Sequence, residues 1–154
     1  MKEVTGNAAF QEREARCPDC RGLMANMGKD FEAPPRKQLK KWQHIKELYS
    51  VGIAFHSCGC YGPGYIPANR ERLIAYLRED LEKYYHQLDF WRNRMEPKTQ
   101  QEIDRDRSKN GDFLWRVSAA VHERNKTVRN EDAKKYWFER ITELETKLAK
   151  IQAS

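Results

Sequence analysis

"IAYLREDLEKYYHQLDFWRNRM", residues 74–95, carries the clearest periodic signal in the chain. Ile74, Leu77, Leu81, Tyr84, Leu88, Trp91 and Met95 recur at alternating steps of three and four. Side chains at that spacing fall on one face of an α-helix, and the pattern is an a/d heptad stripe. Asn69 offers a capping oxygen before it, and Glu71 sits in the first turn, where the helix dipole favours an acid. Pro97 ends the run. The pattern predicts one long helix over 69–96. Its stripe packs either on other helices of the same chain or on a second copy, as a coiled-coil homodimer through 74–95.

Downstream, "PKTQQEIDRDRSKNG" at 97–111 is polar and reads as a connector, with a helical turn begun at Thr99 and Glu102. Asp112 then caps a stripe of Leu114, Val117 and Val121. A second phase, Trp137, Ile141, Leu144, Leu148 and Ile151, begins after Asn130, Glu131 and Asp132. One helix with a phase slip and two helices with a tight joint both satisfy residues 113–152, and the acidic start after Asn130 favours two.

Upstream, the chain changes character. Residues 1–16 show no period and read as a flexible N-terminal tail. "CPDC" follows at 17–20, and 23–28 alternates as a short strand that Gly28 closes. After "EAPP" at 32–35, Leu39, Trp42, Ile45 and Tyr49 mark a helix ending near residue 50, with Gly52 at its C-terminal cap. "IAFHS" at 53–57 reads as a second strand, leading into "CGC" at 58–60.

The four cysteines therefore form Cys-x2-Cys and, after 37 intervening residues, Cys-x-Cys. A Cys-x2-Cys turn directs backbone amides inward and lets both sulfurs reach one ion at ~2.3 Å. In an extended segment residues i and i+2 point the same way, so Cys58 and Cys60 face one side together. Gly59 lets the backbone bend towards the ion. The spacing predicts a structural Zn2+ site held by Cys17, Cys20, Cys58 and Cys60, with Arg16 and Arg21 positioned to offset its charge. His56 lies on the Cys58/Cys60 side and is an alternative ligand. A thiol redox pair at Cys17/Cys20 is the metal-free alternative, although the βαβ pattern that accompanies it elsewhere is missing.

With those four cysteines, segment 17–66 resembles the zinc-ribbon and treble-clef class of zinc modules. The resemblance covers about a third of the chain. Its gap is longer than in a minimal ribbon, and its second pair is Cys-x-Cys. It implies a structural metal and a nucleic-acid, ribosome or protein partner without choosing among them.

Net charge is +6 and uneven: five basic and one acidic side chain lie between residues 36 and 66. At helical spacing Lys37, Lys40 and His44 fall opposite the apolar stripe, with Lys41 at its edge. Together with Arg36 they form the candidate nucleic-acid-binding face. A solvated lysine-rich face is the alternative. There is no Gly-x-Gly-x-x-Gly, no P-loop, no nucleophile elbow and no His-Glu-x-x-His pair. The aspartates of 102–112 lack the register of a calcium loop. No run approaches the ~18 apolar residues of a membrane span, and the first residues lack an apolar signal core. That predicts a cytoplasmic protein with reduced thiols.

The sequence thus predicts an α+β protein: a tail at 1–16, a zinc module of short strands and one helix at 17–66, and a helical region at 67–154. It is expected to be non-enzymatic, carrying Zn2+ and binding nucleic acid or a ribonucleoprotein. The alternative is a protein–protein adaptor or self-associating helical protein with a structural zinc end-piece.

Overall fold

A computed structural model of the chain describes residues 15–56, 62–122 and 127–153. Four α-helices follow one another: α1 (Leu39–Ser50), α2 (Arg70–Asn93), α3 (Gln100–Trp115) and α4 (Asn130–Ala153), with a short 3-10 turn at Ala119–Val121. No helix among the described residues is long and apolar enough to cross a membrane.

α2 is the organising element. Asn69 caps it, its Oδ1 accepting from Arg72 N at 2.9 Å. The long α4 lies antiparallel along it. Tyr84 rests on Trp137, with ring centroids 5.3 Å apart. Tyr85 Oη donates to Glu145 at 2.6 Å. Arg70, at the start of α2, donates to Ile151 O near the end of α4. Two apolar clusters fill the seam. One joins Leu88 and Trp91 to Leu114, Val117, Ala133 and Trp137. The other joins Leu73 and Leu77 to Leu144, Ile151 and, from α1, Leu48. The heptad stripe is thus covered within the chain, and only its last member, Met95, stands 91% exposed. No stripe is left on α2 for a coiled-coil partner.

The expected α+β class is contradicted. Among the described residues there is no sheet, and the one β pairing is an isolated antiparallel bridge, Arg16–Leu23. Of the segments read as strands, 23–28 and the described part of 53–57 share one hydrogen bond, and a second follows just past Gly28. Phe55 N donates to Met27 O at 2.7 Å, and Asp30 N to Phe55 O at 3.1 Å. Gly28 turns the chain away at φ +90° between them. The alternation at 23–28 does not bury a face either, since Leu23 and Met24 are both exposed. A ladder of this length gains too little to persist as a sheet without a covered side.

The connector also differs. Thr99 Oγ1 accepts from Glu102 N at 3.3 Å while Glu102 Oε2 accepts from Thr99 N at 3.0 Å, a reciprocal capping box. It starts a full helix, α3, which continues through Gly111 with only a kink at Asn110. Ile103 and Leu114 are its buried residues. Asp112 lies within α3 instead of capping a new helix. α3 ends at Trp115 and α4 begins at Asn130, so residues 113–152 do not form one helix.

Candidate metal centre and basic surface

Cys17 and Cys20 sit on a tight reversal. Cys17 N donates to Gly22 O at 2.9 Å, Arg21 N to Cys17 O at 2.9 Å, and Met24 N to Ala15 O at 2.8 Å. Arg21 takes the left-handed conformation, φ 56°, that closes the turn. The backbone N–H of Cys20, then that of Asp19, and then the Cys20 thiol donate to Cys17, and they hold its thiol below the usual cysteine range. Inward amides of this kind stabilise a thiolate, the form that ligates metal. Cys20 is exposed and Cys17 partly so. Arg16 and Arg21 flank the turn, and Arg16 Nη1 donates to Arg21 O at 3.3 Å.

Cys58 and Cys60 lie outside the described residues, as does the predicted tail up to residue 14. Among the described residues no group of three or more metal-ligating side chains converges. His56 is described and exposed. The route towards the second pair is nevertheless fixed. The Met27–Phe55 and Asp30–Phe55 hydrogen bonds lay residues 53–56 against the strand-like segment that leaves the Cys17 turn. The approach is so close that a Cβ at Gly28 would stand 2.3 Å from Phe55 O. The Cys17/Cys20 turn fits one half of a tetrathiolate site.

On α1 the structure revises the predicted orientation. The buried residues are Glu47 and Leu48, while Leu39 is 75% exposed and Tyr49 is also exposed. The helix has turned its His44–Leu48 side to the core. It ends at Ser50 with Val51 as its cap, Gly52 at φ +84° and Ile53 N donating back to Leu48 O at 2.9 Å. His44 accordingly points inward, its Nε2 2.8 Å from Pro67 O, and does not stand with the lysines. Arg36, Lys37, Lys40 and Lys41 are exposed, and Arg36 and Lys37 lie in a turn ahead of the helix. None of the four, nor Lys46, makes an ion pair among the described residues. In contrast Lys83, Arg94, Lys134 and Lys147 are each paired with an acid.

Two further polar features escaped the sequence. Between α1 and the loop entering α2 runs a groove of about 1010 Å3, lined by Glu47, His44, Lys40 and Lys41 among others. At the far end of α2, Arg94 is buried, its side chain 2% exposed, over the Trp91 ring. It grips Asp106 at 2.7 Å, donates to Val128 O at 3.0 Å and to Asn130 Oδ1 at 2.6 Å, while Asn130 Nδ2 returns a bond to Arg94 O at 2.7 Å. Burial works to raise the Asp106 carboxyl, but Arg94 and Asn110 together outweigh it and hold it below the usual carboxylate range. This network joins α2, α3 and α4 and is structural.

Comparison with protein-family models, with curated proteins and with solved structures gives no match to this chain.

Proposed function

We propose that the chain is a non-enzymatic metal-thiolate protein that binds nucleic acid, or a ribonucleoprotein, through the basic surface at the start of α1. Cys17, Cys20, Cys58 and Cys60 would hold Zn2+. Four thiolates leave no open position, so the ion would supply folding free energy to the segment and no reaction chemistry. The amide-lined Cys17 turn supports this reading, as does the contact that runs residues 53–56 past Gly28.

The observation that carries the nucleic-acid reading is the set Arg36, Lys37, Lys40 and Lys41. They are exposed within six consecutive positions, with no acid paired to them among the described residues. Unpaired cations held together on an ordered element attract a phosphate backbone, and binding releases its condensed counterions. His44 drops out of this surface because it faces the core. The test is fluorescence anisotropy of labelled single-stranded RNA and DNA with the parent and with the Lys37→Glu, Lys40→Glu, Lys41→Glu triple variant. The parent is expected to bind at low salt. The triple variant should lose binding while its melting temperature and zinc content stay at the parent's values. Equal binding by both proteins would refute the assignment of the surface.

A second reading, a protein adaptor, is favoured by one observation. Leu39 and Tyr49 leave an apolar side of α1 in solvent. Its partner would be held by apolar burial, with little dependence on salt.

A further inference from the structure

The groove beside α1 holds a carboxylate whose partners among the described residues are two loosely placed cations. Glu47 is only 6% exposed, yet neither of its oxygens accepts a hydrogen bond among the described residues. Its nearest cations stand off: Arg70 Nη1 at 3.9 Å from Oε1 and His44 Nδ1 at 3.7 Å from Oε2. The imidazole cannot close that gap in its neutral form. Nε2 faces the carbonyl oxygen of Pro67, which only accepts, so Nε2 carries the hydrogen and Nδ1 keeps a lone pair. Nδ1 is itself buried without a hydrogen-bond partner. The Glu47 oxygens are not sealed from solvent: they open to the groove, where donors from a ligand can reach them.

The surroundings define the donor. Pro34, Pro35, Phe55 and Pro67 give the groove flat apolar walls. Its volume of about 1010 Å3 accommodates a nucleotide with part of its neighbours. Lys40 and Lys41 stand exposed at its edge and balance the edge acids Glu32 and Glu71, and the adjoining Arg36–Lys37 turn makes the rim net positive. A planar ring is called for, with two adjacent N–H groups on one edge and an anionic tether. Guanine meets this description. Its N1–H and exocyclic N2–H2 match the two oxygens of a carboxylate, and its phosphates lie where the lysines are. An arginine side chain offers a similar pair of donors, but it would bring a cation to a cationic rim.

We propose that this groove takes an unpaired guanine of a single-stranded nucleic acid, with Glu47 reading its Watson–Crick edge and Lys40 and Lys41 holding the flanking phosphates. This rests on the phosphate-binding reading above and adds base recognition to it. Single strands suit the site because their bases are free to leave the stack and present that edge.

The experiment measures binding of short uridine-run RNA carrying one central guanine, adenine or inosine, the DNA equivalents, free guanosine monophosphate, and a short arginine-containing peptide. Inosine keeps N1–H and lacks the 2-amino group. The guanine strand is expected to bind on the order of tenfold tighter than the adenine or inosine strand, the size of one bidentate base contact. Glu47→Gln should bring guanine down to the adenine level and leave adenine binding and its salt dependence unchanged. Ala33→Trp, an exposed groove-lining position away from Glu47, should fill the groove and remove the preference without disturbing the core. RNA and DNA strands that bind alike would assign recognition to the base alone, whereas free monophosphate matching the strand would overturn the role of the flanking phosphates. Equal binding of all strands by the parent would overturn the guanine reading and leave phosphate binding standing. No binding of any strand at low salt would refute both. Glu47-dependent capture of the arginine peptide in place of the strands would overturn the choice of ligand.

Discussion

Removing the Arg94 side chain should be among the most damaging single changes in the helical region. Arg94→Ala takes away a two-pronged contact to Asp106, one hydrogen bond each to Val128 O and Asn130 Oδ1, and the stacking over Trp91. Asp106 keeps only its bond from Asn110, at 2.7 Å. Breaking a buried pair from one side leaves an uncompensated charge and costs about 3–5 kcal/mol. Against a total of about 5–15 kcal/mol for a folded domain, that is a large fraction. Asp106→Asn keeps the shape and removes the charge, and should cost less, about 1–3 kcal/mol. The pH dependence has a definite sign. Asp106 is held below its usual value in the folded state, so its contribution is complete above the unfolded carboxylate value of about 3.9. It is lost as pH falls through the lower folded value. The parent's advantage over Asp106→Asn should therefore be level near neutrality and shrink in acid. Urea unfolding followed by circular dichroism, repeated from neutral to acid pH, measures both effects. An Arg94→Ala protein within about 0.5 kcal/mol of the parent would refute the reasoning, because surface substitutions behave that way.

Leu77→Ala, at a buried contact between α2 and α4, should cost about 2–5 kcal/mol in the same assay. The parent and this variant should share a monomer mass by sedimentation, since the α2 stripe is covered from within the chain. Gly28→Ala combines φ +90° with a Cβ 2.3 Å from Phe55 O, and should speed amide exchange at Asp30 and Phe55 by breaking their contact. Elemental analysis of untagged protein should find about one zinc per chain. Cys17→Ser should lower that content and loosen residues 15–56 while α2 and α4 keep their helical signal.

The long helices were legible because their stripes meet partners of the same kind. Leu77, Leu88, Trp91, Trp137 and Ile141 sit where a 3.6-residue period places them, and Asn69 caps α2 as its side chain suggests. α1 was misread for the opposite reason. Its most apolar side, Leu39 to Tyr49, is not the side that packs, because the neighbouring Leu73, Leu77 and Ile151 meet Leu48, and His44 is drawn to Pro67 O. Periodicity locates a stripe but carries no information on which partner reaches it. The first three turns of α3 read as a connector because 97–111 is polar but for Ile103, while its last residues, with Leu114, read as the start of the next helix. Only the Thr99–Glu102 pair signalled a start, and its inward charged residue, Asp106, is satisfied by an arginine on another helix. Alternation at 23–28 suggested one strand and 53–57 read as another, yet the described residues there make one close crossing at Gly28 and no sheet. The cysteine spacing pointed to a metal clamp; Cys17 and Cys20 lie on one tight turn, and Cys58 and Cys60 fall outside the described residues. Glu47 gave no warning, as one acid among basic neighbours reads as an ordinary helix residue until its burial is seen.

The measurement that bears most directly on the central claim is the salt dependence of nucleic-acid binding by the zinc-loaded protein. Arg36, Lys37, Lys40 and Lys41 together should neutralise up to four phosphates. At about 0.7 per phosphate on a single strand, the slope of log affinity against log salt should approach about −3. Reversing the charge of Lys37, Lys40 and Lys41 should remove most of that slope along with the binding. A parent protein that binds with a slope near zero, or that shows no binding at low salt, would contradict the account and give the apolar side of α1 the leading role.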